Sequence, residues 1–463
     1  MHTPLALESD LIAGLATPPG SSGVAVVRLS GPSLPQALLP VLRHPRGAPL
    51  FPAWFKPRLL HRLDLFDPEV GALLDQALVV YFPAPHSFTG EAQMEIHCHG
   101  APVVIARLLA ILSTLGVRMA RPGEFSRRAY QNGKLDLTRA EALMALIHAS
   151  TLRAAREAAR QLQGSLAVSV GAVRESLLEL LVQVEAELDF ADEELELTGD
   201  GGMLHRLCAL RARLETLLQG ATLGQHWQDG LDLVIAGPPN VGKSSVYNCL
   251  VGREKAIVTP VPGTTRDLNE HRLEMQGMPI VLVDTAGLRL TDDTVEQEGI
   301  RRARERIDQA DGVLLLYDAR YGIGVDGRQL AEELGPKRVI LVGNKVDLCQ
   351  EGAVGGLGGY AEVLLSCRTG AGLETLSEEI VRHFAPRPGG EEGSIILLAR
   401  QREAMERTMQ AVQEAEVLLG NHAPKEILAL VLRTALQAIG ELAGETCHDH
   451  LLDRIFAQFC IGK

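Results

Sequence analysis

Gly237-Pro238-Pro239-Asn240-Val241-Gly242-Lys243-Ser244-Ser245 follows an apolar run and opens a stretch of helical periodicity. The spacing G-x-x-x-x-G-K-S suits a loop whose backbone N–H groups wrap phosphates while a helix N-terminus faces their charge. Lys243 is placed to reach the β- and γ-phosphates, and the Ser244 hydroxyl to bind magnesium. Asp284-Thr285-Ala286-Gly287 ends a second apolar run. Its carboxylate is expected to hold magnesium through water, with the Gly287 N–H on the γ-phosphate. Asn344-Lys345-Val346-Asp347 ends a third run. The Asp347 carboxylate can accept from both N–H groups of a guanine edge, a pair that adenine lacks, so ATP would leave buried charge unpaired. Ser366-Cys367-Arg368 stands where a backbone N–H would read the guanine carbonyl. Each motif alone is weak. All of them in this order, after β-like runs, predict a GTP-hydrolysing domain.

Gly263-Thr264-Thr265-Arg266-Asp267 lies between the phosphate loop and Asp284, where a switch should supply a threonine to magnesium; Thr265 is the expected ligand. The residue after the D-x-x-G glycine is Leu288, which cannot polarise water. Catalysis therefore needs another group. Glu296, Glu298 and Glu305 are candidates, and spacing alone does not choose among them.

Such a site needs a parallel sheet to carry it. Short apolar runs at 231–236, 280–284, 312–318, 339–343 and 362–366 alternate with helical patterns, as in a parallel α/β sheet whose loops gather at the strands' carboxyl ends. The block closes near Phe384, ahead of a Pro/Gly/Glu linker at 386–393. Residues 1–133 read as mixed α and β, with strands at 23–30, 77–82 and 93–98. A helix with Val104, Leu108, Ile111 and Leu115 on one face follows, stopped by Gly116. From Lys134 the pattern turns helical: Thr138 and Glu141 read as a capping box for one long helix through Leu143, Leu146, Ile147, Ala154, Ala158 and Leu162. A second helix carries Val173, Leu177, Leu181, Val184 and Leu188, an acidic stretch covers 189–200, and a third helix spans about 203–220. Periodicity resumes near Ile396 and includes Leu428, Ala435, Ile439 and Leu442. The expected organisation is multidomain α/β plus all-α: an N-terminal α+β domain at 1–133 and a helical domain at 134–228 and 385–463. A nucleotide-binding α/β domain at 229–384 interrupts the helical one, since insertions are tolerated where chain ends lie close.

A net charge of −13 argues against coating nucleic acid by bulk attraction, so RNA contact would need local basic patches. Arg118, Arg121, Arg127, Arg128 and Arg139 form the better cluster, with ligand carboxylates or subunit packing as other uses; Arg301 to Arg306 reads as an exposed helix face. The absence of an 18-residue apolar run, and a start without a basic segment and apolar core, predict an unexported, cytoplasmic protein that does not span a membrane. Seven scattered cysteines without a C-x-x-C pair fit a reducing compartment. His97-Cys98-His99 resembles a metal motif, but strand alternation puts the histidines on one face and the cysteine on the other.

The phosphate loop with Asn240, the Gly263–Asp267 switch, and Asp284-Thr285-Ala286-Gly287-Leu288-Arg289 followed by Val295-Glu296 resemble the bacterial tRNA-modification GTPase family MnmE, also called TrmE. The resemblance runs the length of the chain. It includes Ala16-Thr17-Pro18-Pro19-Gly20, Ser87-Phe88-Thr89-Gly90-Glu91, Arg121-Pro122-Gly123-Glu124-Phe125-Ser126, Lys134-Leu135-Asp136-Leu137, Leu188-Asp189-Phe190 and the terminal Phe459-Cys460-Ile461-Gly462-Lys463. The resemblance implies a folate-binding, dimerising N-terminal domain and a helical domain with an inserted Ras-like P-loop GTPase domain. It implies work with the FAD protein MnmG, in a heterotetramer, to build a carboxymethylaminomethyl-type group on C5 of the wobble uridine of certain tRNAs. The one-carbon unit would come from a 5-formyltetrahydrofolate-type carrier. Carried over by position, GTP would meet Asn240, Val241, Gly242, Lys243, Ser244, Ser245, Thr259, Thr264, Thr265, Asp284, Thr285, Ala286, Gly287, Asn344, Lys345, Asp347, Ser366, Cys367 and Arg368. Folate would meet Arg28, Glu95, Lys134 and Lys463, magnesium Ser244 and Thr265, and potassium Asn240, Thr259, Val261 and Thr264. Glu296 would position water and Cys460 would take a chemical role. Departures are Ser21-Ser22, the prolines 260 and 262 in the potassium loop, and the stretch 446–450. The alternative reading is a regulatory GTPase acting as a binding switch in ribosome assembly; binding of a reduced folate separates the two.

Overall fold

The structure, a computed structural model, describes residues 10–48, 50–189, 200–256, 270–284, 301, 304–349, 355–384, 397–444, 449–457, 459 and 462; the side chains of 219–229, 255–256, 270, 284 and 449–450 are not described. The chain divides into two compact units, Met1–Met144 with Gly440–Lys463, and Ala145–Ile439.

In the first unit, β1 (Ile12–Leu15), β2 (Ser22–Ser30), β3 (Leu42–Arg43), β4 (His61–Asp67), β5 (Ala72–Phe82), β6 (Gln93–Gly100) and β7 (Arg118–Met119) form one sheet in the order β3-β4-β5-β6-β2-β1-β7. Alternation along β2 and β6 sends Val27, Leu29, Met94 and Ile96 into a core that α1 (Pro102–Thr114) completes. The helix buries Ile105, Leu108, Ile111 and Leu112, so its stripe starts one residue later than the expected Val104. Cys98 joins this core while His97 pairs with Glu95 and His99 with Asp75, as alternation requires. No group of metal-ligating side chains is found among the described residues.

After α2 (Glu124–Gln131), α3 (Leu137–Ile147) starts one residue before Thr138. Its cap is Asp136, whose Oδ1 accepts from the Arg139 N–H at 2.8 Å and from Thr138 Oγ1 at 2.6 Å. This corrects the expected capping box, because an aspartate just outside the first turn outcompetes a threonine already inside it. The single long helix expected here is two. The Thr151 side chain accepts from Ala154 N at 3.2 Å and starts a new helix, α4 (Leu152–Leu162).

The second unit contains α4, α5 (Ser165–Asp189) and α6 (Asp200–Asp229), the last far longer than the expected 203–220. Its α/β part runs β8 (Leu231–Ala236), α7 (Lys243–Arg253), β9 (Lys255–Ala256), β10 (Glu270–Met275), β11 (Met278–Asp284), β12 (Gly312–Asp318), α8 (Val325–Leu334), β13 (Val339–Asn344), β14 (Ala361–Leu364) and α9 (Leu373–Phe384). The sheet order is β14-β13-β12-β8-β11-β10-β9. β14, β13, β12, β8 and β11 are parallel, and β10 and β9 add antiparallel edges. Helices α10 (Ala399–Gly420) and α11 (Lys425–Ala443) then return to the earlier ones. Arg211 on α6 pairs with Glu416 at 3.1 Å, and Arg433 on α11 with Glu185 at 2.7 Å. One helical bundle is thus built from both sides of the α/β insertion. Leu428, Ala435, Ile439 and Leu442 are buried along α11 as their spacing predicts.

The chain ends in the first unit. In the C-terminal helix α12 (Asp449–Ala457), Leu452 and Phe456 pack with Phe459, Leu137 and Ala140. Tyr130 OH donates to Gly444 O at 2.6 Å, and Arg127 pairs with Asp453 at 2.7 Å.

Candidate functional site

β8 sits between β11 and β12, so the chain leaves it in one direction for α7 while its neighbours diverge. A crevice at the carboxyl end of such a switch point is where open parallel sheets bind ligands. The phosphate loop occupies it. Gly242 holds φ 98°, and a Cβ there would stand 2.4 Å from Asn344 Nδ2. The loop therefore needs glycine both for its left-handed turn and for contact with the base-reading motif. Helix α7 begins at Lys243, whose ammonium donates to Gly237 O at 2.8 Å and Pro238 O at 2.9 Å.

The third motif is bound to this loop by side chains. Asn344, 3% exposed, donates from Nδ2 to Val241 O at 2.9 Å, and its Oδ1 accepts from Lys345 N at 2.8 Å and Cys367 N at 3.4 Å. Lys345 Nζ donates to Asn240 O at 2.7 Å. Asp347 is held from the fifth segment: Ser366 Oγ donates to its Oδ1 at 2.6 Å, and Arg368 Nε lies 3.4 Å from its Oδ2. Cys367 packs against Cys249 of α7, whose Sγ donates to the Cys367 carbonyl at 3.7 Å. Burial and the neighbouring Cys249 push the Cys367 thiol up to about 12, which keeps it protonated and unreactive.

Asn240, Val241, Gly242, Lys243, Ser244, Ser245, Asn344, Lys345, Asp347, Ser366, Cys367 and Arg368 thus gather at one sheet edge, and Asp284 ends β11 beside them. Thr259, Val261, Thr264, Thr265, Thr285, Ala286, Gly287 and Glu296 lie outside the described residues, as do Cys460 and Lys463.

A second cavity, about 260 Å³, lies in the first unit and is lined by Arg28, Phe82, Phe88, Gln93, Glu95 and Leu143. Arg28 on β2 and Glu95 on β6 are register partners, and their side chains pair at 2.9 Å. Arg28 Nη1 also donates to Gly462 O at 3.0 Å, so the chain terminus reaches this site. Gly462 holds φ 95°, and a Cβ there would approach Leu15 O to 2.4 Å. Gln93 is 2% exposed and its buried Oε1 has no hydrogen-bond partner among the described residues. Spacing did not mark Gln93, because only its position on β6 brings it to the cavity. Lys134 is exposed next to Gly90.

The family described as MnmE helical domain matches residues 137–460, and the one described as GTP-binding protein TrmE N-terminus matches residues 11–134. The chain belongs to the MnmE family of tRNA modification GTPases. The protein named tRNA modification GTPase MnmE of Magnetococcus marinus is 44% identical over 467 residues, covering 100% of both chains. That of Methylococcus capsulatus is 44% identical over 461 residues, covering 98% of this chain and 99% of its own. The solved G domain of the T. maritima FeoB iron transporter is 29% identical over 33% of this chain and 98% of that one, with a TM-score of 0.25. Like its MnmE relatives this chain is a GTPase, and its described helices include none long and apolar enough to cross a membrane.

Several arginines of the N-terminal basic cluster are ion-paired. Arg118 pairs with Asp10 at 2.6 Å and Glu124, and buried Arg128 pairs with Asp10, Glu91 and Glu124. Arg139 pairs with Asp136 at 3.3 Å. Arg118 and Arg128 are thus engaged by carboxylates of their own unit, which weighs against these two as an RNA-docking surface. Arg301 and Arg304 pair with Glu305 and Glu333 on an exposed face, as expected of a solvated helix.

Asp347→Asn is expected to weaken GTP and improve xanthosine triphosphate, because an amide donates where xanthine carries a carbonyl. Losing a charged hydrogen-bonded pair costs about 1.5–3 kcal/mol. Competition titration of the two nucleotides measures it; unchanged GTP affinity removes Asp347 as the reader.

Proposed function

We propose that this GTPase acts in tRNA modification. With an FAD-dependent MnmG-type partner, it helps form a carboxymethylaminomethyl-type group at C5 of the wobble uridine of certain tRNAs, using a one-carbon unit from reduced folate. The supporting observation is the Arg28–Glu95 pair with the Gly462 carbonyl at a half-buried cavity, because it joins the family's characteristic terminus to its folate positions. The residues suit a reduced folate. Gln93 Oε1 is a buried acceptor lacking a donor among the described residues, as a pteridine N–H would supply, and the Phe88 ring and Arg28 guanidinium, 6.0 Å apart, offer a flat apolar and cationic wall. When bound, the folate supplies the one-carbon unit. Arg28, Glu95, Lys134 and Lys463 bind and orient it, and Cys460, three residues before Lys463, takes a chemical role.

In the G domain, Asp347 with the Ser366–Arg368 segment selects guanine, and the loop around Lys243 binds the phosphates. Ser244 and Thr265 would hold magnesium with Asp284 outside them, and Thr285 to Gly287 would close on the γ-phosphate. Asn240, Thr259, Val261 and Thr264 would hold potassium, and Glu296 orients the attacking water. The domains are read as 1–133, 134–228, 229–384 and 385–463, and the working form as a cytoplasmic homodimer assembled with MnmG into a heterotetramer. No feature of the described residues favours the ribosome-assembly switch.

Deletion of residues 461–463 is expected to abolish wobble-uridine modification and weaken reduced-folate binding by about 10- to 100-fold, the loss of one charge-assisted hydrogen bond or more. GTP hydrolysis should be little changed. Calorimetric titration with 5-formyltetrahydrofolate and mass analysis of tRNA nucleosides from the complemented deletion strain test both halves. Normal modification by the truncated protein would rule the terminus out.

A further inference from the structure

Asp318 belongs to none of the nucleotide motifs, yet it stands where they meet. β12 ends at Asp318 beside Asn344, its register partner at the end of β13. The Asp318 carboxylate is 9% exposed and Oδ2 accepts from Lys345 Nζ at 2.9 Å. The same ammonium donates to Asn240 O at 2.7 Å. Asn240 and Lys345 are both non-glycine residues in the left-handed region, at φ 64° and 70°. Such backbone is costly and persists only where surrounding contacts over-determine it. One ammonium joins the two strained loops, and one carboxylate fixes that ammonium.

We propose that Asp318 is a positioning residue of the nucleotide site: it holds Lys345 on the phosphate-loop carbonyl, so that the base-reading loop and the phosphate loop close as one unit. The charge balance explains why a carboxylate is used. An uncompensated ammonium on a loop that binds phosphates would be drawn towards them and release the carbonyl of Asn240. Paired with Asp318 it stays a tie, and Lys243 remains the phosphate cation. The carboxylate is itself oriented from the other side, where Arg320 donates through Nε at 3.0 Å, Nη2 at 2.8 Å and its backbone N–H at 3.1 Å. Arg320 and then Lys345 hold the Asp318 carboxyl far below the usual carboxylate range, so it stays ionised at any pH at which the protein functions.

The test is a double-mutant cycle on GDP and GTP affinity in the full-length protein, read with fluorescent guanine nucleotides. Asp318→Asn should weaken both nucleotides about tenfold, chiefly through faster dissociation, as expected for a coupled contact pair. In a Lys345→Ala background the same substitution should cost less than about twofold, because the partner it positions is gone. Arg320→Ala removes the Nε and Nη2 donors and leaves the backbone N–H on Asp318, so whatever loss it causes should be smaller than that of Asp318→Asn and should likewise vanish in the Lys345→Ala background. An equal loss in both backgrounds would overturn the proposal and assign Asp318 a merely structural role. Asp318→Glu, which keeps the charge but displaces it, is run through the same cycle so that the result does not depend on how well the asparagine variant folds. Its loss should likewise vanish without Lys345, and a loss that persists overturns the proposal too.

Discussion

Gly242→Ala is expected to lose tight guanine-nucleotide binding while the rest of the molecule stays folded. The new Cβ meets two obstacles. At φ 98° the backbone is left-handed, which costs an L-residue about 1–2 kcal/mol. The Cβ would also lie 2.4 Å from Asn344 Nδ2, the donor that ties the base-reading strand to Val241 O. Displacing that buried amide leaves it unpaired, at about 1–3 kcal/mol. The two together, about 2–5 kcal/mol, correspond to a loss of roughly 30-fold to several thousand-fold in affinity. Gly252→Ala, on the same helix with open space at its Cβ, is the control and should bind normally. Fluorescent GTP titration with thermal unfolding of both variants measures the difference. If Gly242→Ala binds like Gly252→Ala, the loop does not form the phosphate site.

Glu296→Ala is expected to lower GTP turnover by about 10²–10⁴-fold, the range for losing a positioned base, with GTP affinity nearly unchanged. The motive is Leu288, which cannot orient water where other GTPases place a glutamine, together with the family position of Glu296. The same reading expects faster turnover in potassium than in sodium, since a cation beside the β–γ bridge offsets charge where it develops, and no such response in Asn240→Ala. Single-turnover hydrolysis in matched chloride salts checks all three. Equal rates in both salts, or an active Glu296→Ala enzyme, would remove this mechanism and leave the GTP site standing.

Local patterns carried a large part of the architecture. The strands ending at Ala236, Asp318 and, one residue past the expected Gly343, Asn344 were legible because parallel strands buried on both faces read as mostly apolar runs. β10 was not, since Glu270–Met275 is an antiparallel strand near the sheet's edge with charges at alternate positions and only Leu273 and Met275 buried. Its signal was the Gln276-Gly277 turn, both residues at positive φ. The break between α3 and α4 was missed because apolar periodicity continues through it, and only the Thr151 cap marks the new start.

The sequence by itself determined the nucleotide chemistry, because phosphate and guanine recognition rest on short contiguous motifs whose spacing is the geometry. It also determined the helical bundle interrupted by an α/β insertion, through the change of period from helix to strand and back. Only the tertiary structure decided which side chains meet across those segments. It joined Arg28 to a carbonyl 434 residues away and brought Gln93 to the same cavity. It set Arg118 and Arg128 against carboxylates of their own unit and placed Asp318 against Lys345. Those contacts depend on sheet order and register, and strand pairing between distant segments leaves no local signature in the chain.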